Sequence, residues 1–232
     1  MTVVAIHQPN YLPWLGFFAK ALDSDVLVLY DTIQFEKGGF TNRVRIKGSA
    51  GVQWLTQPVA TAGASSQEIS HVAFARPDWS RKHLNALQAS YARAAYFQPY
   101  FGQLAELLGA PGCNLSVCNE RLTRWACQIL HLGVVLVRAS DLATEGNDPT
   151  QRLIALVRAL GGDTYLSGSG GFGYQNLANF EGAGLRVVRS RSSFPEYPQL
   201  WGEFCHGLSI VDLLFNCGPA SRSFLERGNW KA

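Results

Sequence analysis

The first thirty residues place short apolar runs on either side of a helix-forming stretch. Residues 3–6 and 26–30 are apolar and predict two buried strands. Pro13 stands where a first helical turn accepts proline, and the helix predicted from there to about Leu22 has one apolar face. A strand, helix and strand in this order normally give parallel strands joined by a right-handed crossover.

The middle of the chain has a different pattern. Apolar and polar residues alternate with period two, between glycine-rich turns, and predict a small antiparallel β insertion over about residues 36–75. Helical periodicity then predicts a helical segment over residues 78–132, with Asp78 as its first N-cap and further helices over 100–108 and 120–132.

The alternation of strands and helices resumes after this segment. Strands are predicted at 133–137, 163–166 and 185–188, and helices at 148–160, 174–180 and 208–216. The sequence thus predicts an α/β fold in one domain over residues 1–232. We expect a mostly parallel, Rossmann-like sheet flanked by helices, with the antiparallel insertion and the helical segment in the middle.

Composition narrows the class of protein. The chain is 47% hydrophobic, yet its longest apolar runs are far shorter than the roughly 20 residues of a membrane span. The N-terminus lacks the basic region of a signal peptide, so we expect a cytoplasmic protein without membrane insertion. The five cysteines show no Cys-x-x-Cys spacing and the five histidines form no local pair, so no disulfide framework and no metal site is predicted.

The net charge is small, at +3, but the chain has fifteen arginines and only five lysines. The planar guanidinium group suits phosphates and carboxylates, although a biased genomic base composition gives the same excess. The sequence has no long basic run, which argues against a dedicated binder of duplex nucleic acid.

The loop after the first strand is the strongest candidate for a site. It carries His7, Gln8, Asn10 and Tyr11 on a proline-stiffened segment, at the carboxyl end of a strand, where open α/β sheets bind ligands. His7 could act as a general base or contact a phosphate, because imidazole titrates near neutrality. Alternatively, these side chains only cap the helix or hold the loop.

Two further polar groups follow the second strand and the insertion. Asp31 could orient His7, bind an amine or hold a metal, with Gln34 beside it; a plain turn residue is the alternative. In the block NRVRIK (42–47), Asn42 precedes Arg43, Arg45 and Lys47, which share one face of a strand. That face is either an anion platform or an ordinary solvated surface.

The second half of the chain offers weaker candidates. Residues 168–173 match G-x-G-x-x-G, but no acidic residue about 20 positions later could hold a ribose, so a backbone-lined pocket wall of Ser167, Gly168 and Tyr174 is the better interpretation. Ser209 and Asp212 share a face of the last predicted helix, as a buried polar network or as substrate contacts.

These blocks together resemble the WbqC-like protein family along nearly the full chain. The matching segments are HQPNYLPW (7–14), DTIQF (31–35), NRVRIK (42–47), WLTQPV (54–59), YLSG (165–168) with Tyr174, and LSIVDLLFN (208–216). The resemblance implies a bacterial protein linked to surface-polysaccharide (O-antigen) clusters or specialised-metabolite pathways, and a glycine or other aminoacyl transferase role is suggested for some members. The glycine-rich stretch 169–173 departs from the family's usual loop.

The resulting hypothesis is an acyl or aminoacyl transferase. His7 would be the general base, Asp31 would orient it or hold an amino group, and Arg43 with Lys47 would hold an anionic group of the donor. No cofactor is predicted; the donor would arrive activated, as an aminoacyl-tRNA, an adenylate or a carrier thioester, with a small-molecule or carrier-bound acceptor. A nucleotide-handling ligase, a condensation or cyclisation enzyme, and a non-catalytic ligand-binding or scaffold module are the alternatives. The predicted substrate contacts are Gln8, Asn10, Tyr11, Gln34, Asn42, Ser167, Gly168, Tyr174, Ser209 and Asp212.

Overall fold

A five-stranded parallel sheet forms the centre of the protein. The computed structural model describes residues 1–60, 66–110, 114–144, 146, 148–168 and 176–230. In this part of the chain the strands are β1 (Val3–His7), β2 (Val26–Leu29), β3 (Arg43–Gly48), β4 (Gly51–Thr56), β5 (Val135–Arg138), β6 (Thr164–Ser167), β7 (Arg186–Arg189), β8 (Arg191–Ser193) and β9 (Asn229–Trp230). The central sheet has the order β5-β2-β1-β6-β7, and each neighbouring pair is parallel. The predicted fold class is confirmed.

The strand order reverses direction beside β1. The chain passes from β1 to β2 and β5 on one side, then returns to place β6 and β7 on the other. The space between the carboxyl ends of β1 and β6 is therefore a topological switch point, where the connections on the two sides diverge and leave a crevice.

The helices cover both faces of this sheet. They are α1 (Leu15–Leu22), α2 (Ser80–Tyr91), α3 (Phe97–Gly109), α4 (Leu115–Ile129), α5 (Pro149–Ala159), α6 (Leu177–Gly182), α7 (Ile210–Cys217) and α8 (Ser221–Glu226). Alternate residues of β1 point to opposite faces. Val4 and Ile6 pack in a cluster with α5 and α6, whereas Ala5 packs with α1 and α7. A strand buried on both faces explains its continuous apolar run.

The middle segment departs from its prediction in one place. The insertion contains the antiparallel hairpin β3–β4, as expected, but residues 69–74 do not form a strand. Ile69 and Val72 are buried together with Phe35 and Leu115, and a spacing of three places both on one side of the short 3-10 helix Ile69–His71. Only Phe74 keeps a bridge, to Val59.

Several boundaries also differ from the prediction. Asp78 is not the N-cap of α2, which begins after Trp79, whereas Asp148 caps α5 through Thr150 and Gln151 as expected. α4 begins earlier than predicted because the side chain of Asn114 caps it. The helix predicted over 174–180 begins at Leu177 in the described residues. The helix α8 and the small sheet of β8 and β9 were not predicted. None of the helices in these ranges combines the length and apolar character that a membrane crossing requires.

Candidate functional site

A cleft of about 460 Å³ opens at the switch point of the sheet. His7 ends β1 and Gly168 follows β6, so the topology brings these two parts of the sequence together although they are 161 positions apart. We call this space the switch-point cleft. Its walls include His7, Gln8, Phe17, Lys20, Tyr165 and Gly168.

The imidazole of His7 is held in one tautomer. Its Nδ1 lies 3.0 Å from the carbonyl oxygen of Gln8, and since a carbonyl can only accept, Nδ1 donates and Nε2 keeps a lone pair. The ring packs edge-on against Phe17, with 4.9 Å between centroids. Burial, reinforced by the positive charge of Lys20, lowers the pKa of His7 to about 4. His7 is therefore a neutral hydrogen-bond acceptor at pH 7.

Lys20 is a cleft residue that the sequence analysis missed. It lies within the apolar helix α1, where a lysine is expected to reach solvent, yet its side chain is only 3% exposed. Its Nζ donates to the carbonyl oxygen of Ile6 at 2.6 Å, and burial lowers the pKa of Lys20 to about 7. The one available signal was its position in the apolar run LGFFAKAL.

The loop between β1 and α1 is held in place by groups from distant elements. The side-chain amide of Asn119 donates to the carbonyl oxygens of Pro9 and Thr41. The hydroxyl of Ser209 donates to the carbonyl oxygen of Leu12 at 2.8 Å. These contacts support a left-handed backbone at Leu12 (φ 40°), which a branched residue adopts rarely. Gln8 accepts a hydrogen bond from Thr41. The loop is thus a fixed part of the fold.

A second cleft, of about 370 Å³, lies on the other side of this loop. We call it the aromatic cleft, because Trp14 and Phe40 form much of its wall and both are exposed, by 39% and 53%. Asn10 is nearly buried here, and its Oδ1 has no hydrogen-bond partner among the described residues. His7 and Trp14 line both clefts. The walls of the aromatic cleft include His7, Asn10, Tyr11, Trp14, Phe40, Arg43 and Arg45.

The three cations of β3 share a face, but they differ in their surroundings. Arg43 lies over the ring of Trp54, 4.3 Å from its centroid, and donates to Gly38, while Arg45 donates to the carbonyl oxygen of His206 at 3.1 Å. Lys47 is buried, and its ammonium donates to oxygens of Gln199, Gly202 and Glu203. Arg43 and Arg45 line the aromatic cleft, whereas Lys47 anchors the segment 199–203.

Asp31 lies in a different environment from the one predicted. Its carboxylate is fully buried and accepts from the hydroxyl of Ser116 at 2.7 Å and from the backbone amide and hydroxyl of Ser140, both at 2.9 Å. These bonds join the end of β2 to α4 and to the turn after β5. No bond between Asp31 and His7 is found in the described residues.

Gln34 and Asn42 also lie apart from the clefts. Gln34 is exposed on a bridge to Glu68. Asn42 is nearly buried at the base of the hairpin, where its amide donates to the carbonyl oxygen of Gln57. Neither side chain is among the residues that line the two clefts.

Ser209 and Asp212 belong to the buried structure around α7. Ser209 is the N-cap of this helix. Asp212 is fully buried and accepts a hydrogen bond of 2.8 Å from Tyr91; burial raises the pKa of Asp212 to about 6, against the effects of Tyr91, Tyr197 and Lys47. This buried network ties α2, β3 and α7 together.

The predicted pocket wall after β6 is described in part. Ser167 is buried, and Gly168 lines the switch-point cleft. Tyr174 and most of the glycine motif lie outside the described residues. In the described part of the chain, no three His, Cys, Asp or Glu side chains are grouped as a metal site would require.

The fold and clefts define an α/β protein with a doubly wound parallel sheet and a crevice at its switch point. The model of the WbqC-like protein family matches residues 8–224. The uncharacterized protein Rv1507c of Mycobacterium tuberculosis is 35% identical over 228 residues, which cover 97% of this chain and 98% of that protein. No solved structure matches the chain. The chain belongs to the WbqC-like protein family.

Proposed function

We propose that the protein is a group-transfer enzyme that moves an acyl or aminoacyl group from an activated donor to an amine or hydroxyl. The observation that carries this proposal is the position of His7, a neutral imidazole that lines both the switch-point cleft and the aromatic cleft. Direct transfer between two bound substrates is favoured when their binding spaces adjoin and a base lies where they meet.

The reaction assigns one substrate to each cleft. The donor's acyl carbon would lie in the switch-point cleft and the acceptor in the aromatic cleft. The acceptor nitrogen or oxygen forms a bond to the acyl carbon, its proton passes to Nε2 of His7, and the bond to the leaving group breaks with the electron pair going to that group. Surface polysaccharide and specialised-metabolite pathways are the settings that we propose for this chemistry, from the family resemblance.

The pKa of His7 bears on this role. A base whose conjugate acid has a pKa near 4 in the free protein accepts a proton poorly. Burial is the main cause of this low pKa and the charge of Lys20 is the second, so a bound anionic donor would raise the pKa of His7 by offsetting Lys20. We therefore expect His7 to become an effective base only when the donor is bound. Arg43 and Arg45, in place of the predicted pair Arg43 and Lys47, are the cations of β3 available to an acceptor carboxylate.

A transfer assay with a matched histidine control tests this function. Glycyl-tRNA and a glycyl thioester serve as donors and hydroxylamine as acceptor, and hydroxamate formation is measured. We expect His7→Asn to lower the rate by on the order of a hundredfold or more, and His71→Asn, on an exposed histidine, to leave it unchanged. Transfer that survives in His7→Asn would remove His7 as the base. If glycyl-tRNA or the thioester binds without turnover, the protein is a binding module.

A nucleotide-dependent ligase is the second candidate. The specific observation in its favour is the strand order around β1, which is the order of mononucleotide-binding doubly wound sheets. Such an enzyme would activate a carboxylate itself. Release of pyrophosphate from ATP in the presence of glycine and hydroxylamine, without an activated donor, would select it over the transferase.

A further inference from the structure

Lys20 carries a positive charge into the switch-point cleft without a negative partner. An isolated buried ammonium is costly, so buried lysines normally pair with carboxylates. Lys20 makes one hydrogen bond, to the carbonyl oxygen of Ile6, and forms no ion pair with any described residue. Gly168 faces it across the cleft, and a Cβ built there would lie 3.8 Å from Nζ.

The carboxylates on the surrounding elements do not supply that partner, because they pair with arginines. Asp23, at the end of α1, accepts two bonds of 2.8 and 3.0 Å from Arg191 on β8, and Glu226 on α8 pairs with Arg222. No carboxylate is among the described residues that line the cleft; besides Lys20, its ionisable groups are Arg191, His7, Tyr30 and Tyr165. None of these is an anion at pH 7.

We infer that the switch-point cleft binds an anionic group of the ligand, a phosphate or a carboxylate, on the ammonium of Lys20. This anion supplies the missing counter-charge, and the site at the switch point is where doubly wound sheets place anionic ligands. The inference deepens the proposed function by giving the donor a phosphate or carboxylate. It shares the cleft with that proposal but does not require turnover.

The pH dependence of binding follows from Lys20. Only its protonated form attracts an anion, and its pKa of about 7 places the change within an accessible range. In the free protein His7 is neutral over this range, because its pKa is about 4. The carboxylates on the elements around Lys20 face arginines, Asp23 facing Arg191 and Glu226 facing Arg222. Anion affinity should therefore fall as the pH rises above 7.

Calorimetric titration with sulfate and with oxalate tests the inference on the whole protein. Sulfate stands for a phosphate and oxalate for a carboxylate, and neither changes charge appreciably between pH 6 and pH 8.5. We expect wild-type affinity for the preferred anion to fall about thirtyfold over this range as the protonated fraction of Lys20 falls. The anion that binds more tightly shows whether the cleft prefers a phosphate-like or a carboxylate group.

Three variants complete the test. Lys20→Met should lose the binding, Lys20→Arg should retain it with little pH dependence, and Lys82→Met, on an exposed lysine of α2, should bind like the wild type. Thermal unfolding of each variant confirms that it is folded. Equal binding by Lys20→Met, pH-independent binding by the wild type, or binding of neither anion at pH 6 would overturn the inference. Loss of transfer in His7→Asn with intact anion binding would separate this result from the test of the proposed function.

Discussion

The hydroxyl of Tyr11 donates a hydrogen bond of 2.8 Å to Nδ1 of His83. The direction follows from the other ring nitrogen, since Nε2 of His83 lies 3.1 Å from the carbonyl oxygen of Thr56 and must donate to it. Both side chains are buried, and Trp79 packs against each ring. This relationship joins the loop after β1 to α2 and β4, and it indicates that the hydroxyl of Tyr11 supports the fold.

Replacing Tyr11 by phenylalanine should therefore destabilise the protein. The change leaves Nδ1 of His83 buried without a donor, which costs about 1–2 kcal/mol in the free energy of unfolding. Urea unfolding at pH 7 measures this cost, and Tyr100→Phe, at a half-buried tyrosine of α3, serves as the control. Unchanged stability combined with weaker ligand binding would instead place the hydroxyl of Tyr11 in contact with substrate, as the sequence suggested.

The sequence predicted the sheet because its three inner strands, β1, β2 and β6, are buried on both faces. Runs such as residues 26–30 are continuously apolar, and that pattern depends little on distant residues. Residues 69–74 were misassigned because their apolar spacing fits both a strand and a 3-10 turn, and the choice depends on Phe35 and Leu115. The strands β8 and β9 pair residues 191 and 230, a contact that no local pattern encodes.

The site was predictable only in part, and for a related reason. His7 and Gly168 could be placed at strand ends from the alternation of elements. The environment of Asp31 depends on Ser116 and Ser140, which are distant in sequence, so a buried structural carboxylate and a catalytic one look identical there. Lys20 was missed because burial of its charge depends on how α1 packs against β1.

A second prediction distinguishes a structural role of Asp31 from a catalytic one. Asp31→Asn should lower the free energy of unfolding by about 1–3 kcal/mol, because one carboxylate oxygen that accepts two hydroxyls becomes a donor. Chemical unfolding measures the loss, with Asp141→Asn at a half-exposed carboxylate as the control. A variant with wild-type stability and no transfer activity would restore the role beside His7 that the sequence suggested.

Gly16 controls the position of Trp14. A Cβ at residue 16 would lie 2.3 Å from the Trp14 ring, so Gly16→Ala must displace this side chain from the clefts it lines and from its edge contact with Phe194. We expect a changed tryptophan fluorescence spectrum and at least tenfold weaker binding of ligand, since the aromatic wall is lost. Gly102→Ala on α3 is the matched control, because nothing lies within 4 Å of its Cβ. That control should gain about 1 kcal/mol from helix propensity with unaltered binding. An unshifted spectrum in Gly16→Ala would mean that the helix moves and Trp14 does not.

The low pKa of Lys20 leads us to expect that anion affinity and protein stability change in opposite directions as the pH rises above 7. Its pKa is about 7 in the folded protein against an ordinary value of 10.5, so the unfolded chain binds more protons between these values and stability rises with pH across them. Below pH 7 the full cost of the buried ammonium is present, and the difference in pKa corresponds to about 5 kcal/mol. Lys20→Met should thus unfold at a higher urea concentration than the wild type at pH 6, in a buffer that contains no anion that binds the cleft.

The pH dependence of the stability difference between Lys20→Met and the wild type shows whether removal of a buried charge causes it. We expect the advantage of Lys20→Met to shrink steadily from pH 7 to pH 10, while Lys82→Met follows the wild type at every pH. Sulfate should narrow the gap at pH 6, because binding to the native wild type raises its free energy of unfolding beyond the general stabilisation that sulfate gives both proteins. A gap that stayed constant with pH would show that Lys20 keeps its proton in the folded protein, and that the packing of methionine, not the removal of a buried charge, stabilises the variant.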